Sequence, residues 1–252
     1  MFLADQGLPL ASGPLGAVVS EVLGGVAYDH VRRINARYGW LADGLEQGRA
    51  MALASALAAA GHEPLVRRDD DLLRPAQKLH VRTALLRGDA LHVPVSLAGE
   101  LRALPWAALS LVGIGSVPVA RQVVQKTKQK KWGINFKAMA LTGVPLPQRK
   151  TIEKSHLRQV SDEGVLLQLL FAREGVTVEV QPAQFDYGYL EERLATTSRE
   201  NWALLLADLE ELGREARWTD MAKAYLDTGK LAPAFRDVKD FEHYLAWVAQ
   251  LS

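Results

Sequence analysis

The sequence predicts an α+β protein with a mixed or largely antiparallel sheet, an N-terminal β-α-β-β unit and C-terminal helices. Three observations carry this prediction. Short runs with period-two alternation recur between turn residues, most clearly Val176 to Val180. An Ala- and Leu-rich stretch without proline, Glu46 to Ala60, lies between two strand-like runs. From Thr197 onward the apolar spacing changes to that of a helix face. A chain of 252 residues is long enough to bury a substantial core.

The elements follow in chain order. Gly7 to Gly16 holds three Gly and two Pro and reads as a loose arm. Ala36 to Leu41, with Tyr38 and Trp40, is of strand type, and Asp43-Gly44 is a turn. The helix from Glu46 to Ala60 is expected to end at Gly61, and Glu63 to Arg67 resumes as strand. Lys78 to Leu86 and Ala90 to Val95 flank Arg87-Gly88-Asp89 and read as a hairpin. Leu97 to Leu104 is expected as a helix stopped by Pro105, Trp106 to Val112 as a buried strand or helix edge, and Val117 to Val124 as helical. Val165 to Ala172 and Val176 to Val180 form a second hairpin around Arg173-Glu174-Gly175. Thr197 and Glu200 match a capping box, and Trp202, Leu205, Leu206, Leu209 and Leu212 make one face of the helix that follows. Two more helices are expected, near Thr219 to Leu226 and Phe235 to Leu251.

Charge divides the chain more sharply than apolar pattern does. Overall there are 30 basic and 29 acidic side chains. Residues 121–158 alone hold ten basic and one acidic, a balance of +9. This suggests three parts: an α+β domain over 1–120 with its flexible arm, a basic and mobile segment over 121–158, and a hairpin with helices over 159–252. Within the basic part, Lys126, Lys128, Lys130, Lys131, Trp132 and Lys137 combine cations with an aromatic ring. Lysines neutralise phosphates and rings stack on bases, so the combination suits nucleic acid. It equally suits an anionic membrane surface, a solvated loop or a segment that docks an acidic protein partner.

Composition excludes much chemistry. Without cysteine there are no disulfides, thiolate metal sites, iron–sulfur clusters or cysteine nucleophiles, and a cytoplasmic setting is the natural expectation. The longest apolar stretch, Met51 to Ala60, is too short to cross a bilayer. Gly113-x-Gly115 lacks the third glycine of a dinucleotide fingerprint, because position 118 is Pro, so it reads as a turn and no cofactor is expected. His80 and His92 on facing hairpin strands, with Asp69 to Asp71, are the nearest approach to a metal-ligand set. The plainer reading is polar surface, so no metal is expected. No nucleophile elbow or Walker motif is present, and no catalytic residue is assigned.

The most distinctive local text is Phe185-Asp186-Tyr187-Gly188-Tyr189-Leu190 followed by Thr197-Ser198-Arg199-Glu200-Asn201-Trp202. Together with the preceding hairpin it resembles a group of uncharacterised bacterial proteins, over residues 165–212 and loosely over 36–67. That resemblance carries no activity. Phe185, Tyr187 and Tyr189 alternate on one side of an extended segment and would anchor the C-terminal helices. The alternative is an aromatic ligand groove with Asp186 and Asn201 as its polar groups, which would give an enzyme its pocket. The functional expectation is a non-catalytic binding or regulatory protein, with a nucleic-acid-binding protein and an enzyme as the other two readings.

Overall fold

The computed structural model describes residues 1–3, 12–36, 39–96, 99–134, 147–231 and 235–250, with the strand residues 119–134 and 147–163 as backbone. The chain divides into two units, residues 1–118 with 163–252, and residues 119–162. The expected α+β class holds: helices accompany a mixed sheet. Among the described residues no helix is long and apolar enough to cross a membrane.

The described residues of the first unit form six helices: α1 (Ser12–Leu23), α2 (Ala27–Ala36), α3 (Gln47–Ala59), α4 (Ser198–Leu212), α5 (Asp220–Thr228) and α6 (Val238–Val248). Its sheets are built from β1 (Phe2–Leu3), β2 (Pro64–Leu65), β3 (Gln77–Val81), β4 (Leu85–Leu86), β5 (Ala90–Pro94), β6 (Leu101–Pro105), β9 (Val176–Val180) and β10 (Arg217–Trp218). Two long strands, β7 (Leu111–Ile134) and β8 (Pro147–Phe171), contribute residues to both units. The five-stranded sheet has the order β10-β7-β8-β9-β3, and a separate three-stranded sheet has the order β4-β5-β6. In the larger sheet β8 and β9 are antiparallel, whereas β3 runs parallel to β9 and β10 parallel to β7.

The larger sheet is covered on both faces. Alternation sends Val112, Ile114, Leu167, Leu169, Phe171, Val176, Val178 and Val180 into one apolar cluster with Trp202, Leu205, Leu206 and Leu209 of α4. On β7 the opposite alternation places Gly113 and Gly115 against α6. A methyl group on Gly113 would lie 2.4 Å from Leu245 Cδ2, and one on Gly115 would lie 2.7 Å from Phe241 Cε2. Only glycine lets the helix come this close to the strand. A second, smaller core forms around Met1, Leu15, Val19, Ile34, Leu41, Leu53 and Leu57, where α1 and α3 meet.

Several expectations are corrected. Gly113-x-Gly115 is not a turn: both residues lie in β7, and what they supply is close approach. Residues 12–16 belong to α1 rather than to a loose arm; residues 4–11 lie outside the described set. Ser12, Gly13 and Pro14 occupy the first turn, where proline's missing N–H costs nothing. Ala36 ends α2, so the expected strand at 36–41 is absent where described. The expected helix over 97–104 gives way to β6, which pairs antiparallel with β5 from Ala90↔Pro105 to Pro94↔Leu101. Val117 to Val124 and Lys126 to Lys131 are strand, not helix and loop. Strand Lys78 to Leu86 is broken: β3 pairs with β9, and only β4 pairs with β5. The hairpin at 165–180 and the three C-terminal helices lie where the sequence put them.

Candidate functional site

The aromatic patch is structural in its details. Phe185 and Tyr187 are buried in the main core and meet edge to face at 5.2 Å. Tyr187 donates its hydroxyl to the Pro182 carbonyl at 3.0 Å, and burial pushes its pKa up to about 12. Tyr189 donates to Asp208 Oδ2 at 3.0 Å, and Arg193 grips the same carboxylate with two bonds of 2.8 Å. Burial, with the nearby Asp208 charge, holds Tyr189 far above its ordinary pKa. Asp186 accepts from the Gly188 amide at 2.9 Å. Asn201 clamps the Ala195 backbone, accepting from its N–H at 2.7 Å and donating to its carbonyl at 3.1 Å. The polar groups expected to face a ligand are thus turned to holding the chain that leads into α4.

The residues that came nearest to a metal-ligand set in the sequence are dispersed. His80 is on β3 and His92 is on β5, which belong to different sheets. Asp69 is engaged by Arg74 at 2.6 Å and lies 3.4 Å from His243 Nε2. Among the described residues no group of three or more His, Asp or Glu is placed to share a metal ion.

The basic residues occupy two adjacent strands. Lys126, Lys128, Lys130, Lys131 and Trp132 lie on β7, and Arg149, Lys150, Lys154 and Arg158 on β8. Lys137 lies outside the described residues. The pairing of β7 with β10 is at Leu111–Val112, and that of β8 with β9 begins at Leu167. Neither pairing reaches residues 119–162. By the strand's period of two, positions 126, 128, 130 and 132 share one face of β7, and positions 150, 154 and 158 share one face of β8.

A different site emerges from the sheet face under α6. Glu179 is 3% exposed, yet it is a carboxylate on a central strand. Its neighbours across the sheet, His80 on β3 and Gln168 on β8, are in direct register with it. His80 Nδ1 lies 2.7 Å from Oε1, and Gln168 Nε2 donates to Oε2 at 3.0 Å. Lys78 Nζ adds charge at 3.8 Å and also pairs with Glu242 of α6. Glu179 thus orients both neighbours: His80 turns Nδ1 towards it, and the Gln168 amide presents its nitrogen to it.

Beside this row lies a cleft of about 440 Å³. Its sheet wall is Gln168, Leu170 and Thr177; its helix wall is Leu245 and Ala246 of α6. Leu73 and Pro75 close another side, and Arg74, Lys78, Lys239 and Glu242 bring charge to the lining. The size and the mix of apolar walls with a few polar groups are those of a small-molecule site. Sequence reasoning missed it. Gln168 and Glu179 look like the solvent-facing half of an alternating strand, and nothing nearby in the chain announces that α6 will cover them. A polar residue inside V-L-L-Q-L-L was the available signal.

Comparison of this chain with protein-family models, with curated proteins and with solved structures finds no match.

Proposed function

We propose that this is a non-catalytic binding protein and that it binds nucleic acid through the basic pair of strands. The observation that supports this is the +9 balance of residues 121–158 combined with the placement of nine of its ten basic residues on β7 and β8. A β-strand spaces alternate residues about 6.6 Å apart, so Lys126, Lys128 and Lys130 form a line of charge rather than a cloud. A nucleic-acid backbone is also a line of charge, and a two-stranded ribbon is narrow enough to enter the major groove of a duplex. An acidic protein partner would need a matching row of carboxylates, which is a far more special demand. The enzyme reading loses ground because Asp186 and Asn201 are occupied by backbone groups.

The test is anisotropy titration of labelled single-stranded and duplex oligonucleotides at two salt concentrations. Engagement of four lysines predicts a log–log salt slope of roughly −3 on single strands. Replacing Lys126, Lys128, Lys130 and Lys131 by Gln should remove most of the binding. Trp132→Ala should weaken it by about 1–3 kcal/mol with the slope unchanged if the ring stacks on bases. A weak, salt-independent response to both oligonucleotides overturns the proposal. So does retention of binding by the fourfold Gln variant.

A further inference from the structure

We propose that the cleft between the β3–β9–β8 sheet face and α6 binds a small aromatic carboxylate that carries one ring N–H or O–H donor. The donor requirement comes from Gln168. It is 2% exposed, lines the cleft, and gives its nitrogen to Glu179. Its Oε1 has no hydrogen-bond partner among the described residues. A ligand in the cleft would cut this oxygen off from water, and an acceptor desolvated without a partner is costly, so the site favours an occupant that brings a donor. Thr177, in register with Leu170, adds a hydroxyl to the same floor and likewise has no partner among the described residues.

The flat apolar body follows from the walls. A sheet surface and a helix face one another across the cleft, with Leu170 on one side and Leu245 and Ala246 on the other. A planar ring system fills such a slot with contact on both faces. The carboxylate follows from the charges in the lining. Arg74 is held by Asp69, and Lys78 by Glu242 and Glu179. Lys239, exposed at the cleft, has no carboxylate within 4 Å among the described residues and is the cation left to meet an anion. Glu179 does not touch such a ligand. It is a positioning residue that decides which end of the Gln168 amide the ligand meets.

The experiment uses indole-3-acetate as probe, with 1-methylindole-3-acetate and indole as its two controls, titrated calorimetrically into the full chain. The expected order has indole-3-acetate binding tightest. Methylation of the ring nitrogen should weaken binding about ten-fold or more, because Oε1 is then buried unpaired. Loss of the carboxylate should cost about two- to five-fold, as for an exposed ion pair. Lys239→Gln, an exposed change that leaves the core alone, should erase the preference for indole-3-acetate over indole while preserving the N-methyl penalty. Glu179→Gln frees the Gln168 amide to turn, so the N-methyl penalty should shrink; circular dichroism confirms that this variant is folded. If it is not folded, the Lys239→Gln comparison decides alone. Failure of indole-3-acetate to bind at millimolar concentration overturns the proposal. An equally tight N-methyl analogue, or an undiminished carboxylate preference in Lys239→Gln, overturns it as well.

Discussion

The three N-terminal helices and the three C-terminal helices are held by different means. Each C-terminal helix starts on a side-chain cap: Thr197 accepts from the Glu200 amide, Thr219 from Ala222 and Asp237 from Asp240. In α4 the Glu200 side chain returns the bond to the Thr197 amide, completing the box. α3 begins at Glu46 with no side-chain cap, and α2 follows Val26, which has no side-chain oxygen to offer. The N-terminal helices depend on contact with one another. Gly16 of α1 shows how close that contact is, since a methyl there would lie 2.8 Å from both the Ala27 carbonyl oxygen and Val31 Cγ2 of α2. Capping is written in four consecutive residues; close packing is written in residues far apart. That is why the sequence announces α4 to α6 and hides α1 and α2.

The largest effect should come where α6 lies on β7. Gly115→Val would drive a branched side chain into Phe241, which is fully buried and stacks with Tyr244. Overpacking of this kind costs about 1–3 kcal/mol and often more when the backbone cannot retreat. Denaturant unfolding should show a lowered midpoint. A midpoint equal to the parent would mean that α6 can shift, and that the C-terminal helices are less tightly docked than their caps suggest. Gly16→Ala makes the matching test at the N-terminal side. Within a helix Ala is favoured over Gly by about 1 kcal/mol, but here the methyl has no room, so destabilisation is expected. Gly48→Ala in α3 is the control: nothing lies within 4 Å of its new methyl, so stability should rise.

What the sequence made legible follows the same division. The hairpin at 165–180 was readable because Gly175, at φ 63°, punctuates it and each strand alternates locally. The capping box at Thr197 was readable for the same local reason. Gly113 and Gly115 were misread as a turn because the atoms that need their emptiness, on Leu245 and Phe241, are over a hundred residues away. The cleft was hidden in the same manner. Gln168 and Glu179 sit where an exposed polar face belongs, and only α6 makes them interior. The break between β3 and β4 was missed because parallel pairing of β3 with β9 joins segments that no turn connects.

Removal of Thr197 would sharpen the comparison by a smaller amount. Thr197→Ala deletes the hydroxyl that accepts from the Glu200 amide at 3.2 Å and donates to Glu200 Oε2 at 2.8 Å. Losing an N-cap of this kind costs about 1 kcal/mol. The Asn201 clamp on Ala195 should keep the entry chain in place, so the loss should not grow beyond a single cap. Thermal unfolding of the variant, read beside Asn201→Ala, separates the two devices; a Thr197→Ala protein as stable as its parent would show that the clamp alone orders the start of α4.

The smallest change is a gain at the other end of the molecule. Glu46 stands at the N-cap of α3 with φ −58° and ψ 145°, an extended conformation that suits a capping residue, yet its side chain makes no cap bond. Its carboxylate sits one methylene further from the backbone than that of Asp, too far to reach back comfortably to the amides of the first turn. Those first-turn amides carry the positive end of the helix dipole, and α3 has no acidic residue in its first turn to answer it. Glu46→Asp keeps the charge and shortens the reach, so it should supply the missing acceptor and stabilise the protein by about 0.5–1 kcal/mol. Glu46→Ser separates the two contributions, because it supplies the hydrogen bond and removes the charge. If both variants melt at the parent temperature, the start of α3 is satisfied by water, and packing of Leu53 and Leu57 in the N-terminal core alone sets its stability. If Asp gains and Ser does not, the dipole outweighs the hydrogen bond at this helix.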